Sequence, residues 1–151
     1  MSLGDSFPES IRSEFAKRNI DPGVALLIEL PEFNLTYKKY VIFFSKNMMD
    51  VTKCGILVIN SEINENVNRN HYLKSQHVSI DCARHDFLEI DSFIDCTRIQ
   101  PHNLQKILDY IVENPDKLCG NVEQDIMTKV KIILTNSSLI SNNDKRIYNL
   151  I

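Results

Sequence analysis

The amino-acid sequence predicts an α+β domain: a small, mostly antiparallel β-barrel preceded by one helix and followed by two. Three observations carry this. Runs of β-branched and aromatic residues recur through the first two thirds of the chain, separated by short polar or turn-forming segments. Two of these runs are apolar without alternation, the pattern of strands covered on both faces. Helix-spaced apolar residues occur before the runs and twice after them. With 151 residues, 43% hydrophobic and 25% charged, and only 4 Gly and 5 Pro, the chain suits one globular unit with a sizeable core. As a single domain it divides into an N-terminal helical part (1–23), a barrel (24–100), a helical pair (101–137) and a tail (138–151).

Ser6-Phe7-Pro8-Glu9 has the spacing of a capping box, which satisfies the free amides of a helix start. Phe7, Ile11 and Phe15 then share one face of the helix, while Arg12, Glu14, Lys17 and Arg18 lie largely elsewhere. Asp21-Pro22-Gly23 stops it with a turn. Val24 to Leu30, Tyr37 to Ser45 and Cys54 to Ser61 read as three strands, separated by Pro31-Glu32-Phe33-Asn34 and by 47–53. The continuous apolar runs Tyr40 to Phe44 and Ile56 to Ile59 mark the central pair. The asparagine-rich stretch Asn64 to Tyr72 reads as a loop with room for one helical turn. Gln76 to Asp81 and Asp91 to Thr97 are two further short strands, making about five. Pro101 suits the first turn of a helix with an apolar face of Leu104, Ile107, Leu108 and Ile111, ending before Pro115. Asn121-Val122-Glu123-Gln124 is a second capping-box pattern. It opens a helix with the stripe Val122, Ile126, Met127, Val130, Ile133 and Leu134, which Asn136-Ser137-Ser138 ends. Leu139 to Ile151 mixes polar residues with isolated apolar ones and reads as a mobile tail.

Several function classes lose their support at this level. No apolar run approaches the roughly 18 residues that span a bilayer. Met1 to Ser6 carries neither a basic start nor an apolar stretch, so a cytoplasmic location is expected. Cys54, Cys82, Cys96 and Cys119 are widely spaced without a Cys-x-x-Cys pair and read as reduced, mostly buried thiols. There is no Gly-rich phosphate loop, Gly-x-Ser-x-Gly elbow, His-Glu-x-x-His helix or cysteine metal knuckle, so no metal and no cofactor is expected.

What remains is sparse. The histidines are His71, His77, His85 and His102. Cys82 and His85, flanked by Asp81 and Asp86, offer a metal or nucleophile site, against the preferred reading of a buried structural cysteine beside a surface histidine. Asp91 and Asp95 point the same way on a strand, as acid-base pairs do, but also as the outer face of any strand does, which is preferred. The formal net charge of -3 argues against a surface that holds a polyanion throughout. Between Thr36 and Cys54, however, Lys38, Lys39, Lys46 and Lys53 face one acid, Asp50, a local +3 that reads as a phosphate track or a solvated strand-loop-strand surface.

The run Lys38-Lys39-Tyr40-Val41-Ile42-Phe43-Phe44-Ser45 is followed by a variable loop and by Gly55-Ile56-Leu57-Val58-Ile59-Asn60-Ser61. Later comes Asp91-Ser92-Phe93-Ile94-Asp95-Cys96-Thr97-Arg98-Ile99 and a helix. This order, over roughly residues 36–112, resembles the plan of the MazF/PemK toxin family. There a basic residue precedes an apolar strand ending in Ser, a second apolar strand ends in Thr or Ser, and a short strand leads into a helix. The resemblance implies an SH3-like barrel, usually a homodimer, that cuts single-stranded RNA without a metal and is held in check by an antitoxin. By position, Lys39 (or Lys38) would stabilise the charged transition state and Ser61 would supply the hydroxyl, with Lys38, Lys46 and Lys53 binding substrate. Lys39 stands where the family usually has Arg, and Tyr40 where it has Pro. The alternative is a non-catalytic member of the same fold that binds a protein partner through the barrel surface and C-terminal helices. An enzyme built on Cys82 and His85 is a third.

Overall fold

The computed structural model describes residues 9–29 and 38–151. At its centre β2 (Lys38–Lys46) and β3 (Lys53–Asn60) pair antiparallel, with Ile42 opposite Leu57 and Val41 opposite Val58. Beyond β2 lie β1 (Val24–Glu29) and then β7 (Leu118–Asn121). Beyond β3 lie β5 (Ser92–Asp95) at one end and β6 (Gln100–Asn103) at the other, with β4 (His77–Ile80) outside β5. Every pairing is antiparallel, and the order β4-β5-β3-β2-β1-β7 curls into a half-barrel whose end strands are β4 and β7.

The unbroken apolar runs of β2 and β3 follow from cover on both faces. On one side Val41, Phe43, Cys54 and Ile56 pack with Ala16 and Ile20 of the α1 region (Glu9–Asn19) and with Ile107 and Ile111 of α3 (Leu104–Glu113). On the other, Ile42, Phe44, Leu57 and Ile59 pack with Ile126, Val130 and Leu134 of α4 (Gln124–Asn136) and with Tyr148, just past α5 (Asn142–Ile147). The α+β reading and the central strand pair are as expected. Among the described residues no helix is long and apolar enough to cross a membrane.

Four local expectations differ. On α1, Ile11 and Phe15 are 54% and 42% exposed, whereas Ala16 and Ile20 are buried. The helix turns its small-residue side to α3, and Arg12 Nη1 donates to the Val112 carbonyl across that contact at 3.1 Å. Phe7, the capping-box residues before Glu9, and Leu30 to Tyr37 with their predicted turn lie outside the described residues. Pro101 is a strand residue of β6, opposite Gly55, and α3 instead starts after Asn103, whose side chain accepts from the Lys106 amide. Because β6 pairs on one side, with β3, the proline's missing donor is tolerated. Asn121 belongs to β7 rather than to a capping box, and no side chain of its own caps α4 at Glu123.

The segment expected as a tail is packed. Ser141 caps α5 by accepting from the Asp144 amide, and Ile140, Tyr148 and Leu150 are buried. The Tyr148 ring lies against β3 where only a glycine leaves room: a Cβ on Gly55 would meet Tyr148 Cε1 at 2.7 Å and Ile99 Cγ2 at 2.6 Å. A short α2 (His71–Ser75), capped by Asn70, is attached as well: the Tyr72 hydroxyl accepts from the Ser138 amide at 2.9 Å.

Candidate functional site

Alternation along a strand places Lys39, Val41 and Phe43 of β2 on one face, and Cys54, Ile56, Val58 and Asn60 of β3 on the same one. Near the middle this face is apolar and lies under α1 and α3. Toward the end of β3 it turns polar. Lys39 Nζ donates to Asn60 Oδ1 at 2.5 Å. Asn60 lies opposite Phe93 in β5, two residues before Asp95, and Asp95 lies opposite His77 in β4. At strand spacings near 4.8 Å, the four strands carry Lys39, Asn60, Asp95 and His77 across about 14 Å.

Each member of this row has a defined environment. Burial lowers the basicity of the Lys39 amine, and the charge of Asp95 partly opposes that shift. His77 is likewise less basic than a free imidazole, through burial and against Asp95, which favours its neutral form. Asp95 Oδ1 accepts from the Thr97 amide at 2.9 Å and from its hydroxyl at 2.5 Å, which orients the carboxylate. His77 Nε2 lies 3.0 Å from Asn68 Oδ1, while Nδ1 is enclosed with no partner among the described residues. The row therefore brings an amine, a carboxyl group and an imidazole together in a half-buried setting.

The other expected residues fall elsewhere. Ser61 is exposed at the bend after β3, and the β3 residue that meets Lys39 is Asn60. Lys38 is exposed, its Nζ 6.0 Å from the Tyr110 ring centre, at the outer limit of a cation–π contact. Lys46 and Lys53 sit at the far end of the β2–β3 hairpin, about 23 Å from Lys39 along the strand, and Lys53 is 3.9 Å from Asp50. The basic segment is thus split into two separate ends rather than one track.

Cys82 and His85 do not form a reactive pair. His85 is 2% exposed, the reverse of the expected surface position. Its Nδ1 is 2.6 Å from the Asp81 carbonyl, and its Nε2 accepts from the Glu123 amide at 3.1 Å. That imidazole supplies the α4 cap which Asn121 does not. The Cys82 thiol is made less acidic, first by its hydrogen bond with Asp91, next by burial. Asp91 also accepts from the Cys82 amide at 2.9 Å, so it anchors a turn and does not pair with Asp95. All four cysteines are free; burial pushes the Cys54 thiol up to about 12, and burial with Asp95 nearby does the same to Cys96. No group of three or more metal-binding side chains occurs among the described residues.

A cavity of about 850 Å³ lies away from this row, between α4 and the C-terminal residues, lined by Phe44, Met127, Lys131, Tyr148 and Leu150 among others. None of Lys39, Asn60, Asp95 and His77 lines it. Asn60, Asn68 and the use of His77 were not foreseen. The hairpin register could have found the first, since continuing Val41 opposite Val58 by two residues brings Lys39 to Asn60 and not to Ser61. No protein-family model matches this chain, and no curated protein shows significant similarity to it.

Proposed function

We propose that the polar row binds and cleaves single-stranded RNA without a metal, as expected of a MazF/PemK-like protein of a toxin-antitoxin or phage-defence locus. The observation that supports this reading is Lys39, a half-buried amine bonded to Asn60 with Asp95 and His77 alongside. In such cleavage the ribose 2′-oxygen attacks the adjacent phosphorus, its proton passes to a base, and the 5′-oxygen leaves with a proton taken from that protonated base or from water. The Lys39 ammonium offers a point charge to the developing phosphorane oxygens, held in a site where water screens it less. Asn60 orients that amine in the place the resemblance gave to a hydroxyl. Asp95, half-buried and opposite His77, is the proton acceptor of the row. With Lys46 and Lys53 at the far end of the hairpin, contact is limited to a short stretch of backbone, which suits a chain whose formal net charge is -3. The same reading carries an antitoxin partner, a homodimer and a cytoplasmic location.

The test is incubation of purified protein with mixed-sequence RNA in EDTA. Wild-type protein cleaves, Lys39→Ala loses at least about a hundredfold in rate, consistent with loss of a transition-state donor, and Lys39→Arg retains part of it. Intact RNA at high protein excess overturns the reading.

A specific observation favours the second reading, a non-catalytic interaction module. The β2–β3 turn exposes Met48, Met49 and Val51 at 61%, 74% and 87%, and α4 exposes Ile132 at 55%, more apolar side chain than an isolated hairpin tip requires. Uncleaved RNA together with an association abolished by Met49→Ser and Val51→Ser, at unchanged stability, would support it.

A further inference from the structure

Asn68 is 6% exposed while its neighbour Val67 is 68% exposed, an inversion of the usual order for an amide and an aliphatic side chain. Its orientation is fixed from within its own segment. Both the backbone amide and the side-chain Nδ2 of Asn68 donate to the Asn64 carbonyl, each at 2.9 Å. The remaining side-chain atom, Oδ1, therefore faces His77 Nε2 at 3.0 Å, and because it can only accept, Nε2 must carry the proton. That leaves the His77 lone pair on Nδ1, which is enclosed and unpartnered. An unpaired buried acceptor of this kind costs stability and calls for a reason. The charged group facing His77 is Asp95, directly across from it in β5, with Lys39 acting on Asp95 from β2.

We infer that Asn68 is a positioning residue: it holds His77 as the Nε2–H tautomer, so that the enclosed Nδ1 is the ring's basic nitrogen. The functional meaning rests on the row being the reaction site proposed above; the geometry does not. The asparagine-rich segment between β3 and α2 thus has a role that its composition alone does not reveal: one of its amides selects which atom of an imidazole is basic.

The experiment is nitrogen-15 imidazole NMR on the full chain, without RNA. In the wild type the His77 Nε2 carries the proton below its exchange limit, and that proton exchanges slowly. Asn68→Leu removes the acceptor; exchange becomes about tenfold faster and an Nδ1–H form appears. Asn68→Asp keeps an acceptor, so the Nε2–H form persists, and the added charge raises the midpoint of His77 titration by about one pH unit. A wild-type ring protonated on Nδ1 overturns the inference, as does a ring that behaves identically in wild type and Asn68→Leu. Should the Leu variant not fold, the wild-type tautomer and the Asp variant still decide. The expected ring behaviour with intact RNA would leave the positioning role standing and remove the ribonuclease reading; cleavage with a ring indifferent to Asn68 would do the reverse.

Discussion

Replacing Gly55 by Ala tests whether the C-terminal segment is an integral part of the fold. In an ordinary strand this change stabilises by about 0.4 to 1 kcal/mol, since it removes freedom from the unfolded chain and adds side chain to the sheet. Here the new Cβ would lie 2.6 Å from Ile99 Cγ2, and 2.7 and 3.0 Å from two atoms of the Tyr148 ring. Neither neighbour can give easily, because Ile99 and Tyr148 are both 6% exposed and sit in the cluster that α4 covers. Forcing a methyl into such a space costs roughly 1 to 3 kcal/mol, so the net expectation is a loss of about 1 to 2 kcal/mol. Urea denaturation measures it as a lower midpoint at unchanged slope. The position of the strain gives a second readout: amide exchange in α5 and through Leu150 should accelerate more than in β2 or β3. Adding Tyr148→Ala should remove part of the penalty at position 55, leaving the contribution of Ile99. A Gly55→Ala protein as stable as the wild type, with unchanged exchange near Tyr148, would refute this account of how residues 138–151 are held.

His85→Ala removes the acceptor for the Glu123 amide and a ring from a site that is 2% exposed. It should cost roughly 2 to 4 kcal/mol in chemical denaturation, with α4 exchange rising first; a loss below about 1 kcal/mol would show that the cap matters little. His77 has its basicity lowered by burial, so its contribution to stability is full above its unfolded value of 6.5 and is lost as pH falls through the lower folded value. His77→Gln should therefore flatten the acid limb of the stability curve below about pH 6.5, and an unchanged limb would contradict a lowered basicity at this ring. Lys46→Ala and Lys53→Ala, at the far end of the hairpin, should leave RNA cleavage within about twofold, whereas Lys39→Ala should lower it at least about a hundredfold and lower the salt dependence of RNA binding by roughly 0.7 in logarithmic slope. Equal losses at all three lysines would restore the single basic track.

The parts of this fold legible in the sequence are those whose signal is local. Tyr40 to Phe44 and Ile56 to Ile59 declare double cover through their own composition, and both strands have cover on each face. For α1 the local signal is ambiguous. Periodicity reveals apolar positions at Ile11 and Phe15, but which side docks depends on the partner helix, and α3 takes the side carrying Ala16. Leu118-Cys119-Gly120-Asn121 has little intrinsic strand character and becomes β7 because the free edge of β1 supplies its hydrogen bonds. His85 likewise looks like a surface or catalytic histidine until α4 arrives with an amide that needs an acceptor.

The candidate site follows the same division and turns on one residue of register. Lys39 is recognisable from sequence as a cation at the start of an apolar strand, but its partners lie on strands whose alignment no local pattern specifies. A shift of one residue in a β-pair exchanges the faces of the sheet, so choosing between Asn60 and Ser61 decides whether Lys39 meets an amide or a hydroxyl. The ladder from Val41 opposite Val58 selects Asn60. That choice has a chemical consequence: the Asn60 side-chain oxygen can hold the Lys39 amine but has no proton to give or nucleophile to offer, so under the proposed reading proton transfer would fall to Asp95. Ser61→Ala should then leave the rate unchanged, while Asn60→Leu, which removes the acceptor at similar volume, should lower cleavage by roughly tenfold as Lys39 loses its orientation. The assay is the same RNA incubation in EDTA. A rate lost in Ser61→Ala and kept in Asn60→Leu would mean that the hydroxyl reaches the phosphate despite the register.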